Sequence, residues 1–181
     1  VPPTNNNLKF VDDTYLVSKS DQNSDEFDVL QFVVRSITKF VIPSNIRIIS
    51  SCAFRISNIK EIFIPSQITK IGKFAFFRCH SLTKIGIPAD SKLQDSFYDI
   101  NIKEFSVSSG VSKIFHHAFY YSEKLERLNI QEDSNLQAIE WASFQHSRIT
   151  KIFLPPKVTK LSKSVFSDCY KLSEIQIPAN S

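Results

Sequence analysis

One stretch, Ile59 to Ser81, decides the fold: it reads Ile-Lys-Glu-Ile-Phe-Ile-Pro-Ser-Gln-Ile-Thr-Lys-Ile-Gly-Lys-Phe-Ala-Phe-Phe-Arg-Cys-His-Ser, and most of the chain repeats it. The stretch opens with an apolar-x-x-apolar-x-apolar head that is usually followed by Pro. The head recurs every 20 to 24 residues, at Ile37, Ile59, Leu82, Ile102, Leu125, Ile149 and Leu172. Self-similarity at a period of about 20 to 29 residues indicates a solenoid of stacked units.

A second apolar signature follows the head in most units. It ends in a small or apolar residue and Phe, as in Ala53-Phe54, Ala75-Phe76, Ala118-Phe119, Ser143-Phe144 and Val165-Phe166. Five of the sixteen phenylalanines are therefore aligned. No unit can bury this apolar face alone, so stacking must create a shared core with a column of Phe side chains.

Each head is predicted to form a short strand. Alternation sends Ile62 and Ile64 towards the core and Glu61 and Phe63 towards solvent. Pro65 lacks an amide donor and should end the strand. The segment that follows is too short and too β-branched for a stable helix, and we expect a short extended piece and one helical turn.

Residues 1–36 do not fit the repeat and are predicted to form a capping hairpin. Residues 12–18 and 27–34 have strand composition, and the polar, acidic residues 19–26 between them form a natural loop. We expect the hairpin to lead straight into the first repeat strand and to cover the open end of the stack. The predicted organisation is a cap at 1–36 and a solenoid at 37–181 whose last unit is incomplete, as in an excised or processed segment.

Charge and composition give weak functional information. Residues 1–36 carry a net −3, which leaves +7 on the repeats out of a total of +4. No basic cluster with interleaved aromatic residues is present, so we expect no nucleic-acid partner. No apolar run approaches the ~18 to 20 residues needed to span a bilayer, so we expect no membrane insertion.

The three cysteines are not predicted to form a disulfide framework. Cys79 and Cys169 occupy the same unit position four units apart, which places them roughly 19 Å from each other in the stack. We expect both to be small buried residues, with Ser57, Ser122 and Ser147 in the equivalent place. Cys52 lies at a different position of its unit, and the redox state of all three stays open.

The repeating pattern, Leu-x-x-Ile-x-Ile-Pro-x-x-Val-Thr-x-Ile-x-x-x-Ala-Phe-x-x-Cys, resembles the BspA-type leucine-rich repeat of surface proteins in anaerobic bacteria and parasitic protists. Residues 59–81 and 149–171 match best, and the resemblance covers about 37–181. Phe27–Leu30 resembles the region that precedes the repeats in protist members. The resemblance implies a β-rich α/β fold: a right-handed leucine-rich-repeat solenoid with one parallel inner sheet. It also implies adhesion and a location at the cell surface or outside the cell.

The unit that begins at Leu82 departs from the pattern. It is only 20 residues long and has Asp95-Ser96-Phe97-Tyr98 where the Ala-Phe signature belongs. We expect a local irregularity around Lys92–Asn101.

Catalytic and metal chemistry are not indicated. His116 and His117 are adjacent and would point in different directions, and His80 and His146 lie in no ligand or nucleophile motif. Three scattered glycines cannot form a phosphate loop. We therefore expect no enzyme activity, no cofactor and no metal.

The solvent face of the strand column contains the candidate binding residues. Its first outward positions alternate in charge, which favours one register: Lys39, Glu61, Lys84, Glu104, Arg127, Lys151 and Glu174. The single like-charged step, Arg127 next to Lys151, should leave a positive patch. The second outward positions are Val41, Phe63, Gly86, Ser106, Asn129, Phe153 and Gln176. Val41, Phe63 and Phe153 are apolar side chains at positions that are predicted to face solvent, where packing in the core does not explain them.

Two functional hypotheses follow. The first is a non-enzymatic module that binds a protein, such as a host or extracellular-matrix protein, through the inner sheet at Phe63, Phe153, Val41, Arg127 and Lys151. The alternative is a structural or self-associating spacer of a larger surface protein, because the edge at Leu172–Ser181 could pair with another copy as a homo-oligomer.

Overall fold

The computed structural model describes residues 6–87 and 96–178, and within these ranges it contains short β-strands and no helix. The strands are β1 (Leu8–Val11), β2 (Tyr15–Ser18), β3 (Val29–Val33), β4 (Ile48–Ile49), β5 (Glu61–Phe63), β6 (Lys70–Ile71), β7 (Lys84–Gly86), β8 (Glu104–Val107), β9 (Lys113–Ile114), β10 (Arg127–Ile130), β11 (Ala138–Ile139), β12 (Lys151–Phe153), β13 (Lys160–Leu161) and β14 (Glu174–Gln176).

The units that begin at Ile59, Ile102, Leu125 and Ile149 each contribute one strand to an inner column and one to a second column. The inner column consists of the pair β5–β7 and the sheet β8–β10–β12–β14, all parallel. The second column contains the parallel steps β3–β4–β6 and β9–β11–β13. The inner sheet was predicted to be continuous, but it has two parts. They separate between β7 and β8, at the unit that is only 20 residues long.

The register of the inner column confirms the predicted order of charges at five of its six steps; at the sixth, Lys84 and Glu104 are not paired, because β7 and β8 lie in different sheets. Outward residues of successive strands are paired as Lys39–Glu61, Glu61–Lys84, Glu104–Arg127, Arg127–Lys151 and Lys151–Glu174. The inward residues between them, such as Ile62 and Ile152, are buried. A slip of one residue would exchange these two sets, so burial and charge pairing specify the same register.

The core is organised around a column of phenylalanine rings. Neighbouring ring centroids are 4.9 to 5.9 Å apart along the series Phe54, Phe76, Phe97, Phe119, Phe144 and Phe166. Interplanar angles of 5° to 21° show that the rings are stacked. The column therefore continues through every unit from the first to the sixth.

The irregular unit keeps its place in this column through Ser96 and Phe97. Both side chains are completely buried, and Phe97 lies between Phe76 and Phe119 at 5.4 Å from each. Ser96 and Phe97 are therefore the signature that the sequence pattern had not aligned. Of the expected irregularity at Lys92–Asn101, residues 92–95 lie outside the described residues.

The segment after the second strand is a run of hydrogen-bonded turns, where one helical turn was predicted. In five turns, two non-glycine residues four positions apart have positive φ, as at Cys52 (61°) and Ile56 (59°). Left-handed residues interrupt a right-handed helix. Alternate amides instead bond to the next unit, and Phe54 N donates to Ala75 O at 2.8 Å. The turns thus form a third set of hydrogen bonds between units.

The two cysteines of the repeat position are buried and free, as predicted. Cys79 Sγ donates to Phe54 O at 2.9 Å, and Cys169 Sγ donates to Phe144 O at 3.0 Å. Ser122 makes the same contact through its hydroxyl. Burial raises the pKa of both thiols. Either Cys or Ser can occupy this position, because each can donate to a carbonyl of the preceding unit.

The first described residues form an antiparallel pair, β1–β2, and β2 also pairs antiparallel with β3. The hairpin predicted between 12–18 and 27–34 is therefore present as β2–β3, and β1 is a strand that the sequence did not predict. β3 then runs parallel to β4, so the hairpin joins the second column and not the inner one.

Replacing Phe97 by Ala should lower the free energy of unfolding by about 3 to 5 kcal/mol, because the change removes a buried ring and leaves a cavity between two others. Chemical denaturation followed by circular dichroism measures the change. Phe63→Ala, at a side chain that is 73% exposed, is the control and should change stability by less than about 0.5 kcal/mol. A loss of under about 1 kcal/mol for Phe97→Ala would contradict the continuous column.

Replacing Ile56 by Asn should stabilise the protein by about 1 kcal/mol, because left-handed backbone is costly for a β-branched residue and easier for Asn. Ile175→Asn is a matched control: Ile175 is 46% exposed, like Ile56 at 44%, but lies in a strand. The control should be neutral or destabilising. Equal effects of the two substitutions on the thermal midpoint would show that the turn is not strained at Ile56.

Candidate functional site

A broad depression of 560 Å³ lies on the solvent side of the first inner sheet. Residues 39–41, β5 and β7 form it, so three successive units contribute. Its floor is the surface of the strands themselves. Repeat solenoids commonly use such an extended strand surface to bind another protein.

Phe63 and Val41 are the exposed apolar side chains of this depression. Phe63 is 73% exposed and Val41 is 89% exposed. Gly86 is paired with Phe63 in the next strand, and a Cβ atom on Gly86 would lie 2.6 Å from Cδ2 of the Phe63 ring. The missing side chain of Gly86 therefore leaves the space in which the Phe63 ring lies against the sheet. The sequence identified Phe63 but not this role of Gly86.

The charges around Phe63 are not neutralised within the protein. Glu61 lies between Lys39 and Lys84 in register. Among the described residues, none of these three side chains makes an ion pair within 4 Å. Two ammonium groups and one carboxylate thus face solvent, with a net charge of +1.

The second inner sheet has the opposite character. Arg127 Nη2 lies 2.8 Å from Glu104 Oε2, and Lys151 Nζ lies 2.6 Å from Glu174 Oε2. Hydrogen bonds from Arg127 and Lys151, respectively, lower the pKa of Glu104 and Glu174. Arg127 and Lys151 are adjacent in register, as predicted, but each has its own carboxylate. The positive charge expected at this step is therefore neutralised by Glu104 and Glu174.

The five predicted binding residues fall into two groups. Phe63 and Val41 lie together in the depression, whereas Arg127, Lys151 and Phe153 lie on the second sheet, beyond the interruption after β7. Phe153 is half-buried and pairs in register with Gln176. The structure thus groups the apolar pair with the unpaired lysines Lys39 and Lys84.

Three of the four histidines, His80, His116 and His146, lie on the turn side and pair with separate carboxylates, whereas the His117 ring contacts Trp141 at 4.5 Å. His80 Nε2 lies 3.3 Å from Asp99 Oδ1, and His146 Nε2 lies 3.6 Å from Asp168 Oδ2. Over residues 6–87 and 96–178, no three His, Cys, Asp or Glu side chains are placed to hold a metal ion. In the same ranges no helix has the length and apolar character to cross a bilayer.

The sequence did not identify a second aromatic feature, on the turn side. Phe74, Phe77 and Tyr98 contact one another with centroids 5.2 to 5.9 Å apart. The ring contacts continue from Tyr98 to Tyr120 at 5.0 Å. These residues lie next to the Ala-Phe signature in successive units, and that recurring aromatic flank is the signal that could have revealed them.

The fold is shared with solved bacterial proteins. A leucine-rich cell surface protein from Faecalibacterium prausnitzii has a TM-score of 0.67 at 20% identity, with 95% of this chain and 54% of that chain covered. The pneumococcal vaccine antigen PcpA has a TM-score of 0.69 at 20% identity over 97% of this chain and 51% of that one. A leucine-rich repeat protein from Eubacterium ventriosum has a TM-score of 0.60 at 16% identity over 91% and 50%. This chain thus spans about half the length of each.

No curated protein sequence matches the chain. A family model described as the BspA-type leucine-rich repeat region matches residues 30–95 and 93–181, with six copies. The match includes the stacked units with the Phe column and the inner strands. The chain therefore belongs to the BspA-type leucine-rich repeat family.

Proposed function

We propose that this chain is a non-enzymatic protein-binding module, displayed on a cell surface or secreted, that recognises its partner through the inner sheet face. The observation that carries the proposal is the pair Phe63 and Val41, which are 73% and 89% exposed and contribute nothing to the core. Repeat solenoids commonly use such extended faces to bind proteins.

Phe63 is suited to be the anchor of the interface. Aromatic side chains that are rigid and become buried on binding contribute most to affinity. The ring already lies across Gly86, so a partner can cover it without the ring leaving the sheet surface. Val41 widens the apolar area beside it.

The charges favour an acidic partner at this end of the face. Lys39 and Lys84 lie on either side of Glu61 and have no carboxylate of their own within 4 Å in the described part of the chain. Carboxylates of a partner would complete these contacts and speed association. Arg127, Lys151 and Phe153 extend the same face as a more polar rim, where ion pairs already exist.

A location at the cell surface is supported by one of the similar structures, which is described as a cell surface protein. Adhesion to a host or extracellular-matrix protein is the specific function that we propose for such a location. A nucleic-acid partner is not expected, because the basic residues of the inner column alternate with carboxylates.

A structural or self-associating spacer is the second candidate, and one observation favours it. Leu161, Ile175 and Ile177 are 47%, 46% and 64% exposed in the last two described units. Together they give a second copy an apolar surface to pack against.

The test of binding is the double change Phe63→Ser and Phe153→Ser. We expect capture by a panel of immobilised extracellular-matrix proteins to weaken about 30-fold, as for the loss of an interface anchor. Biolayer interferometry measures the affinity and circular dichroism the folding. Phe10→Ser is the matched control, because Phe10 is 49% exposed but lies in β1.

Unchanged capture by the folded double variant would show that the inner face is not the binding surface. Capture of the wild-type chain by none of the panel would contradict a matrix partner. Light scattering on the same samples separates the two candidates: we expect a monomer, whereas an oligomer that depends on concentration would favour the spacer.

A further inference from the structure

A second concave site opens on the turn side and has a volume of 360 Å³. The turns of three successive units line it: Cys52 and Arg55 come from the first, Phe74 and Phe77 from the next, and Tyr98 from the irregular unit. None of these residues belongs to the inner sheet. The volume falls within the ~300 to 1,000 Å³ of sites that hold small ligands or single side chains.

Three aromatic rings form the walls of this site. Phe74 meets Phe77 at 69° and Tyr98 at 74°, and Phe77 meets Tyr98 at 56°. Phe74 is 37% exposed, and the other two are half-buried. Rings that lie steeply to one another present both edges and faces, which is the arrangement that a further aromatic ring prefers to join.

The rim of the site carries a guanidinium group that is fixed but not neutralised. Arg55 lies over the Phe77 ring at 5.4 Å from its centroid. Arg78 lies at 5.2 Å from the same ring, but its Nε is paired with Asp99 Oδ2 at 3.1 Å. Over the described residues, no carboxylate lies within 4 Å of the Arg55 side chain. Stacking on an aromatic face holds a guanidinium in place while it keeps its donors for a carboxylate.

We propose that this site binds an aromatic side chain next to a carboxylate, as in a Phe-Glu or Tyr-Asp step of an acidic peptide segment in a partner protein. The ring would pack against Phe74, Phe77 and Tyr98, and the carboxylate would accept hydrogen bonds from Arg55. A cationic neighbour would be repelled by Arg55, and a neutral one would leave it unpaired. This site is separate from the inner face and does not depend on the function proposed for it.

The test compares three capped dipeptides that differ in the second side chain, which is negative, neutral or positive: N-acetyl-Phe-Glu-amide, N-acetyl-Phe-Gln-amide and N-acetyl-Phe-Lys-amide. Each is titrated into the isotope-labelled full chain, and amide shifts are followed by NMR. We expect saturable shifts at Cys52, Phe77 and Tyr98, with affinity about 5-fold higher for Phe-Glu than for Phe-Gln, and weakest for Phe-Lys.

Variants of Arg55 assign the charge preference. Arg55→Gln should make the three peptides bind equally, and Arg55→Lys should restore part of the preference without the planar fork. Arg47→Gln is the control, because Arg47 is exposed but does not line the site. Amide spectra of each variant report whether it is folded.

Several results would overturn the proposal. Equal affinities of the three peptides for the wild-type chain would show that Arg55 does not select for a carboxylate. Amide shifts confined to the inner strands, or no shifts at millimolar peptide, would show that the turn-side site does not bind the peptide. Binding of 3-phenylpropionate in the absence of peptide binding would assign the site to a small free carboxylate and not to a protein segment.

Discussion

The stacked phenylalanine rings set the geometry on which the rest of the structure depends. Each ring lies 4.9 to 5.9 Å from the next, close to the ~4.8 Å separation of neighbouring strands, so the side-chain column and the strand ladders advance together. A unit can change its length, as the one at Leu82 does, as long as it supplies a ring at this position. Phe97 meets that requirement, and its ring connects the Phe column of the first two units to that of the fourth to sixth units across the break in the inner sheet.

Stacking also decides what each surface can do. Alternate residues of the inner strands point outwards and lie beside the equivalent residues of the next strand. Like charges at these positions would repel one another and destabilise the stack. In the second sheet, neighbouring outward residues of opposite charge form ion pairs, such as Arg127 with Glu104. The charges of that face are therefore neutralised within the protein. In the first sheet Lys39 and Lys84 remain available next to Phe63. On the turn side the same stacking brings aromatic residues of three units together beside Arg55.

The sequence predicted those features that depend on period alone. Strand alternation correctly assigned Glu61 and Phe63 to solvent, and the period correctly aligned five rings of the Phe column but not the sixth, Phe97. The turns were not predictable in the same way, because the left-handed positions of residues 6–87 and 96–178 hold side chains such as Ile56 and Tyr121 and no glycine. Tertiary hydrogen bonds between units, and not local propensity, hold that backbone. The aromatic site was missed because it exists only once three units are adjacent.

Hydrogen exchange at the turn amides tests the central claim, that one continuous column joins all the units. The amides of Phe76, Phe97 and Phe119 donate to the following unit at 2.9, 3.1 and 2.8 Å. If the column is continuous, their opening free energies should be similar and their protection factors should agree within about tenfold. Fast exchange at Phe76 and Phe97 beside strong protection at Phe119 would show two independently folding halves and would contradict the account.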